Sequence, residues 1–394
     1  MNINKLYIKI VITYFKTVVI KMKKLTFTLI LILSFCWQYS LRAQGGKWEV
    51  VKTVNTAPNC NECGMATANG KLYLIGNDGS HVTPVEAFDP SSLTWTKLAE
   101  TPVVMHHFQA IPYKNHIYIL DAFSNGGFPD QVPMSNVYSY DVKNNTWEKG
   151  GEIPAERKRA GAAAVEYKGK LYLIAGITHG HQSGTNSMFD CYDPATKSWT
   201  TLQDAPHIRD HCFASIINDK LYVVGGRNTS FRDPENKIPF FAKTVLDVDV
   251  YDFTTAKWST LPSRLPLGSG GGNLVNLNNV LYYMGGECAT ETERNAPRKN
   301  TFYLDPSTSL QWIETDSLHF ARNGVAASVL NNKIYVAGGS GAGMGGPPPG
   351  NLPGGPPPAG QAGNNPPDRL PPQGNMPNGP EQNHPVDLEV FILK

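Results

Sequence analysis

Residues 170–176 read Lys-Leu-Tyr-Leu-Ile-Ala-Gly, and residues 192–199 read Tyr-Asp-Pro-Ala-Thr-Lys-Ser-Trp. The first is a short apolar run stopped by glycine. The second is an aromatic, an aspartate, a set of turn formers, and a tryptophan six residues after the aspartate. Searching outward from this pair, the first pattern recurs around Tyr73, Tyr118, Tyr222, Tyr282 and Tyr335, so that with Tyr172 there are six copies. The second recurs as Phe88-Asp89 to Trp95, Tyr140-Asp141 to Trp147, Tyr251-Asp252 to Trp258 and Tyr303-Leu-Asp305 to Trp312. The aspartate-to-tryptophan step is six residues in four copies and seven in the fifth. So constant a step predicts a hairpin of fixed loop length, with the aspartate bonding its own turn backbone. The apolar runs are too short and too heavily punctuated for helices.

Each repeat therefore offers four strands. An inner strand such as Gly161–Tyr167 leads through a Lys-Gly turn into Leu171–Ile174. A loop of variable length follows, then Met188–Tyr192, then the strand holding Trp199. Fixed periods near fifty residues signal repeat architectures. Glycines after an apolar strand, Tyr-Asp before a turn and a tryptophan six residues on resemble kelch repeats, over residues 47–337 plus the C-terminal strand. The resemblance implies an all-β fold, a six-bladed kelch-type β-propeller. The sixth copy has Lys333–Gly339 and one more strand, Leu388–Leu393, but no Asp-turn-Trp unit. Lys47-Trp48-Glu-Val-Val51 matches the segments around Trp95 and Trp199, so the N-terminal strand is expected to complete the last blade and cover its edge.

Two segments stand apart from the ring. Residues 1–43 read as an export signal with an upstream extension: Met22-Lys23-Lys24, an apolar run from Leu25 to Phe35, and Ala43 suited to cleavage before Gln44. That run is short for a membrane span, so no stable span is expected after cleavage. The expected location is periplasmic, cell-surface or extracellular. Residues 338–385 are nearly all Gly, Pro, Asn and Gln, a composition that cannot bury enough apolar area to order itself. They read as a disordered loop interrupting the sixth blade, with residues 44–337 as the propeller and 386–394 as its last strand.

With a formal net charge of +2 over 394 residues and 17% charged residues, the chain has no basic patch for nucleic acid. After cleavage five cysteines remain, of which Cys60 and Cys63 form a lone C-x-x-C suited to a local disulfide in an oxidising compartment. Cys191, Cys212 and Cys288 read as space-filling core residues.

Strand order puts the start of each inner strand and the end of each second strand on one mouth of the channel, where propeller loops carry function. Thirteen residues before the motif tyrosines stand Arg159, Arg209 and Arg322; the position two residues later holds His107 in the second copy and His211 in the fourth. Glu287 follows a second strand. The candidate ligand-binding set is His107, Arg159, Arg209, His211, Glu287 and Arg322. Arg and His together suit an anionic or polyhydroxylated ligand, although kelch arginines at this position also serve as structural bridges. His179-Gly-His181 reads as a turn element. No metal site and no cofactor is assigned, since a metal needs three or four ligands in one geometry.

No nucleophile motif, phosphate loop or paired-carboxylate signature is present. The leading expectation is an exported, monomeric binding protein for a carbohydrate-like or acidic small molecule, or for a protein partner. Exported bacterial kelch propellers similar to this one include sialic acid mutarotases. That similarity implies, as an alternative, a sugar mutarotase or epimerase; it extends to fold and substrate class only, and Glu287 and His211 are this chain's own candidates for the acid/base pair. A structural adhesion or scaffold role is the third reading.

Overall fold

The computed structural model describes residues 45–341 apart from 236 and 309, residues 388–394, and the isolated positions 21 and 23. The export signal and nearly all of the Gly/Pro-rich segment lie outside the described residues.

Six antiparallel sheets carry the fold, and each is one repeat. Blade 3 shows the plan: Ala163–Tyr167, Lys170–His179, Ser183–Asp193 and Ser198–Thr201, each paired with the next. The turn between the first two strands is a two-residue connection with left-handed residues, Lys168-Gly169 here and Asn278-Asn279 or Asn331-Asn332 elsewhere. Such turns match the twist of the strands they join. In the second hairpin the aspartate closes its turn as the sequence predicts. Asp89, Asp141, Asp193, Asp252 and Asp305 each accept the N–H two residues on, at 2.8–2.9 Å. These are turn carboxylates, and the hydrogen bonds hold Asp193 down at about 2.

The tryptophans face the aromatic across the hairpin. Trp95 pairs with Phe88, Trp147 with Tyr140, Trp199 with Tyr192 and Trp258 with Tyr251, ring centres 5.0–5.2 Å apart. In the fifth blade, with its seven-residue step, Tyr303 instead faces Ile313, and Trp312 is buried in the core. Blade-to-blade packing uses the same residues: Tyr73 meets Tyr140 of the next blade, Tyr282 meets Phe391, and Tyr335 meets Phe88.

Ring closure is as expected. Gly46–Val50 pairs antiparallel with Glu389–Leu393, which puts Trp48 opposite Phe391 at 5.2 Å between rings. The Trp48 indole N–H also donates to Thr301 Oγ1 of blade 5 at 3.0 Å. Within the segment assigned to the loop, Ser340–Gly341 pairs with Arg322–Asn323 in a small two-stranded sheet beside the blade. Gly338 and Gly339 fit there with positive φ of 67° and 89°, the Gly338 position lying too close to Cys60 for any Cβ.

The inner strands surround an axial channel of about 340 Å³, lined by residues such as Thr67, Gln109, Glu166, Ser215, Asn276 and Ser328. Among the described residues no helix is long and apolar enough to cross a membrane.

Candidate functional site

At the mouth where the inner strands begin, each blade sends its chain to the axis, turns it once, and runs it down the channel. The turning residues are Glu62, His107, Gly161, His211, Gly271 and Gly324, and all six have φ between 52° and 64°. Their peptide groups join in a closed circle. His107 N donates to Glu62 O, Gly161 N to His107 O, His211 N to Gly161 O, Gly271 N to His211 O, Gly324 N to Gly271 O, and Glu62 N to Gly324 O, at 2.7–3.1 Å. Each bond ties one blade to the next. Below the circle only about 10 Å³ is left, about the room of one water.

Glycine adopts this conformation freely, whereas other L-residues are strained in it by about 1–2 kcal/mol. Three of the six positions nevertheless carry titratable side chains: Glu62, His107 and His211. Strain of this kind gathers at functional sites.

Around these three the loops add His106, His181, Asp210, Arg227, Glu287 and Asn323, all buried. His107 makes edge contacts with His181 and His211, ring centres 5.1 and 4.9 Å away, and its Nδ1 lies 2.5 Å from His106 Nδ1. His181 Nε2 faces His211 Nε2 at 3.2 Å. Behind them His211 Nδ1 meets Asp210 Oδ1 at 2.6 Å and His181 Nδ1 meets Gln131 Oε1 at 3.1 Å. Phe123 packs against His106, His107 and His181, and the exposed Phe128 covers His181. Burial, seconded by the neighbouring cations and imidazoles, drives His107 and His181 well below the usual histidine value, and burial also lowers His211. The imidazoles are therefore neutral at pH 7. Burial, reinforced by Glu287, pushes the Glu62 carboxyl up to about 8, so that it holds its proton 3.8 Å from His107 Nε2. Asp210 behaves oppositely. Burial works against its charge, but the His211 hydrogen bond, Arg227 and the Thr185 hydroxyl outweigh burial and keep it ionised.

Glu287, from the sequence-derived set, is at this mouth but already engaged. It pairs with Arg227 and accepts from Asn323 Nδ2 at 2.6 Å. Phe240 and Phe241 lie over the Arg227 guanidinium.

Arg159, Arg209 and Arg322 are brought to a different place. Each is buried inside its own blade and paired with an acid on the third strand: Arg159 with Asp190, Arg209 with Asp249 and Arg322 with Glu389, at 2.7–2.8 Å. Further guanidinium donors reach backbone carbonyls, those of Ala175 and Leu173, of Gly225 and Asp247, and of Gly338 respectively. These guanidinium groups staple strands together and do not line the mouth, because burial leaves them no favourable partner except an acid and carbonyls close by. The anionic-ligand expectation thereby loses the cations it relied on.

The reverse holds for His181. The His179-Gly-His181 segment is a turn, with Gly180 at φ 51°, but only His179 is exposed; His181 reaches into the cluster. No repeat period marks it, since it sits at the tip of a hairpin longer in blade 3 than in the other blades. Glu62 does carry a signal: it occupies a position that three other blades give to glycine.

The family profile of the KLHDC2/KLHL20/DRC7 Kelch-repeats domain matches residues 107–339, more than half of the chain. The chain belongs to the kelch-repeat family. Among kelch relatives, Kelch-like protein terF of Aspergillus terreus is 24% identical over 314 residues, covering 75% of this chain and 64% of that protein. Alpha-scruin of Limulus polyphemus is 26% identical over 69% of this chain and 28% of its own length. This kelch chain thus spans under two thirds of both relatives. The solved structure of YjhT superposes with a TM-score of 0.62 at 18% identity, over 74% of this chain and 93% of that one, a likeness of fold.

Proposed function

We propose that this kelch propeller is an exported binding protein that holds a protein partner on the face where the inner strands begin. The observation that carries this reading is the distribution of exposed apolar side chains. Val82, Phe128, Val132, Ile208, Ile238 and Phe320 are all exposed, and all sit on loops that open on this face. Among the other exposed large apolar residues described, Leu93 and Leu310 mark turns of the opposite face, Val54 bonds the backbone of Leu93, and Val50 and Ile313 lie on outer strands. Apolar side chains raised on loops around a mouth whose polar groups are already paired suit a protein surface better than a small polar ligand. The Cys60–Cys63 disulfide supports an oxidising compartment, hence export.

The test is photocrosslinking in the producing cells, with the photoreactive residue placed at Phe128 or Ile238 and, for comparison, at Leu93 or Leu310. A discrete protein adduct from the first pair alone supports docking on this face. Equal labelling from all four positions, or adducts only from the second pair, removes the reading.

A second reading, a sugar mutarotase or epimerase, is supported by one feature: a protonated Glu62 beside neutral His107 forms an acid/base pair at the mouth. It replaces Glu287 and His211 in that role, because those two are held by Arg227 and Asp210. Anomer exchange measured by NMR on acidic and neutral sugars, and its loss in Glu62→Gln, decides this reading independently of the crosslinks.

A further inference from the structure

We propose that His107, His181 and His211 form a binding site for one divalent transition-metal ion of the zinc type. The three imidazoles come from blades 2, 3 and 4, and each offers a ring nitrogen within 4.8 Å of the others.

Hydrogen-bond direction makes the case. Asp210 sets a carboxylate oxygen 2.6 Å from His211 Nδ1, so Nδ1 carries the hydrogen and Nε2 presents a lone pair. Gln131 offers its carbonyl oxygen to His181 Nδ1, which puts the hydrogen there and leaves the His181 Nε2 lone pair free. The two lone pairs then face each other across 3.2 Å. With no proton between them they repel; a cation between them removes the conflict. Two nitrogens sharing a tetrahedral zinc at about 2.0–2.1 Å lie roughly 3.3–3.4 Å apart, close to the spacing seen. The backing of one ligand by a carboxylate and another by a carbonyl is also how metal-bound histidines are oriented.

His107 supplies the third ligand, and its left-handed backbone at φ 61° holds it at the axis. Three nitrogens leave a fourth position to water or an exogenous donor, the pattern of a reactive rather than a purely structural zinc. A competing arrangement needs no ion: Gln131 turned so that its amide nitrogen donates to His181 Nδ1, with His181 Nε2–H then donating to His211.

The experiment uses the purified full chain, stripped by chelator and titrated with Co²⁺ and then Zn²⁺. One Co²⁺ per chain should bind with a visible ligand-field spectrum and be displaced by one equivalent of Zn²⁺. His181→Ala and His211→Ala should each weaken binding at least 100-fold, while His179→Ala, two residues away and exposed, should leave it unchanged. Should the alanine variants fail to fold, X-ray absorption of the wild-type zinc form must show histidine ligation. Absence of saturable binding, affinity unaltered in a folded His211→Ala, or a zinc shell without imidazole overturns the proposal. In the first case, nitrogen-15 spectra showing a hydrogen on His181 Nε2 would identify the cluster as a hydrogen-bonded chain.

Discussion

Asp121 stands where four other blades carry the first glycine after the second strand. It is fully buried; one oxygen accepts the Ala162 N–H at 3.0 Å and the other has no hydrogen-bond partner. Burial pushes its pKa up to about 8, against an ordinary value of 3.8. Native chain therefore binds one more proton than unfolded chain between those values. Asp121 favours the fold fully below about pH 4 and progressively less up to pH 8, by at most about 1.4 kcal/mol per unit. Denaturation of wild type and Asp121→Asn across pH 4–8 should show the wild type losing stability relative to the variant as pH rises. Parallel curves would mean that Asp121 is ionised throughout. Among buried cations, Arg209 offers the parallel test, through its pair with Asp249. Arg209→Met leaves Asp249 buried with only His207 and Thr260 as side-chain partners, a lost ion pair expected to cost about 3 kcal/mol in urea unfolding. The arginine roles were half legible in the sequence. Asp190, Asp249 and Glu389 each lie two residues before the third-strand aromatic, in the three blades that have the arginine. That coincidence signals a pair inside the blade, which single-position alignment at the arginine does not reveal.

At the scale of the element, the hairpins were the most legible part. The Asp-turn-Trp unit is local chemistry: one carboxylate, one turn and one cross-strand aromatic pair settle it without reference to the rest of the chain. The N-terminal strand follows the same rule, although its partner lies more than three hundred residues away. Trp48 is 3% exposed, packs at a tilt against Phe391 and bonds Thr301. Trp48→Ala removes a buried aromatic at the closing blade and should destabilise by about 3–5 kcal/mol, read from the denaturation midpoint. A loss below about 1 kcal/mol would show that the ring closes without that strand.

At the scale of the whole molecule, six backbone hydrogen bonds form a circle around the axis, one junction per blade. Gly271 tests how much its left-handed turns matter. A Cβ there would lie 3.3 Å from the Gly324 backbone nitrogen of the same circle, so Gly271→Ala adds a slightly tight contact at the ring to the left-handed strain. It should lower stability by about 1–2 kcal/mol while the unfolding transition stays single. Two separated transitions would mean that the circle, and not the aromatic packing between blades, makes the propeller unfold as one unit. Glu62, His107 and His211 bear that same strain, which the chain tolerates where it places side chains at the mouth.

The sequence by itself determined the six repeats, the hairpin registers, the Asx turns and the N-terminal closure, because period, turn chemistry and aromatic spacing are local or exactly repeated signals. It also placed His107, His211 and Glu287 at one mouth, since equivalent positions in a propeller share a face. Tertiary structure alone decided what those side chains meet. It turned the arginines into their own blades, drew His181 from a hairpin tip to the axis, and bent six turning residues into one ring. Those outcomes depend on which lone pairs, charges and hydrogens face one another across blades, and on how far burial removes water from them. Neither quantity has a sequence period, so neither can be read along the chain.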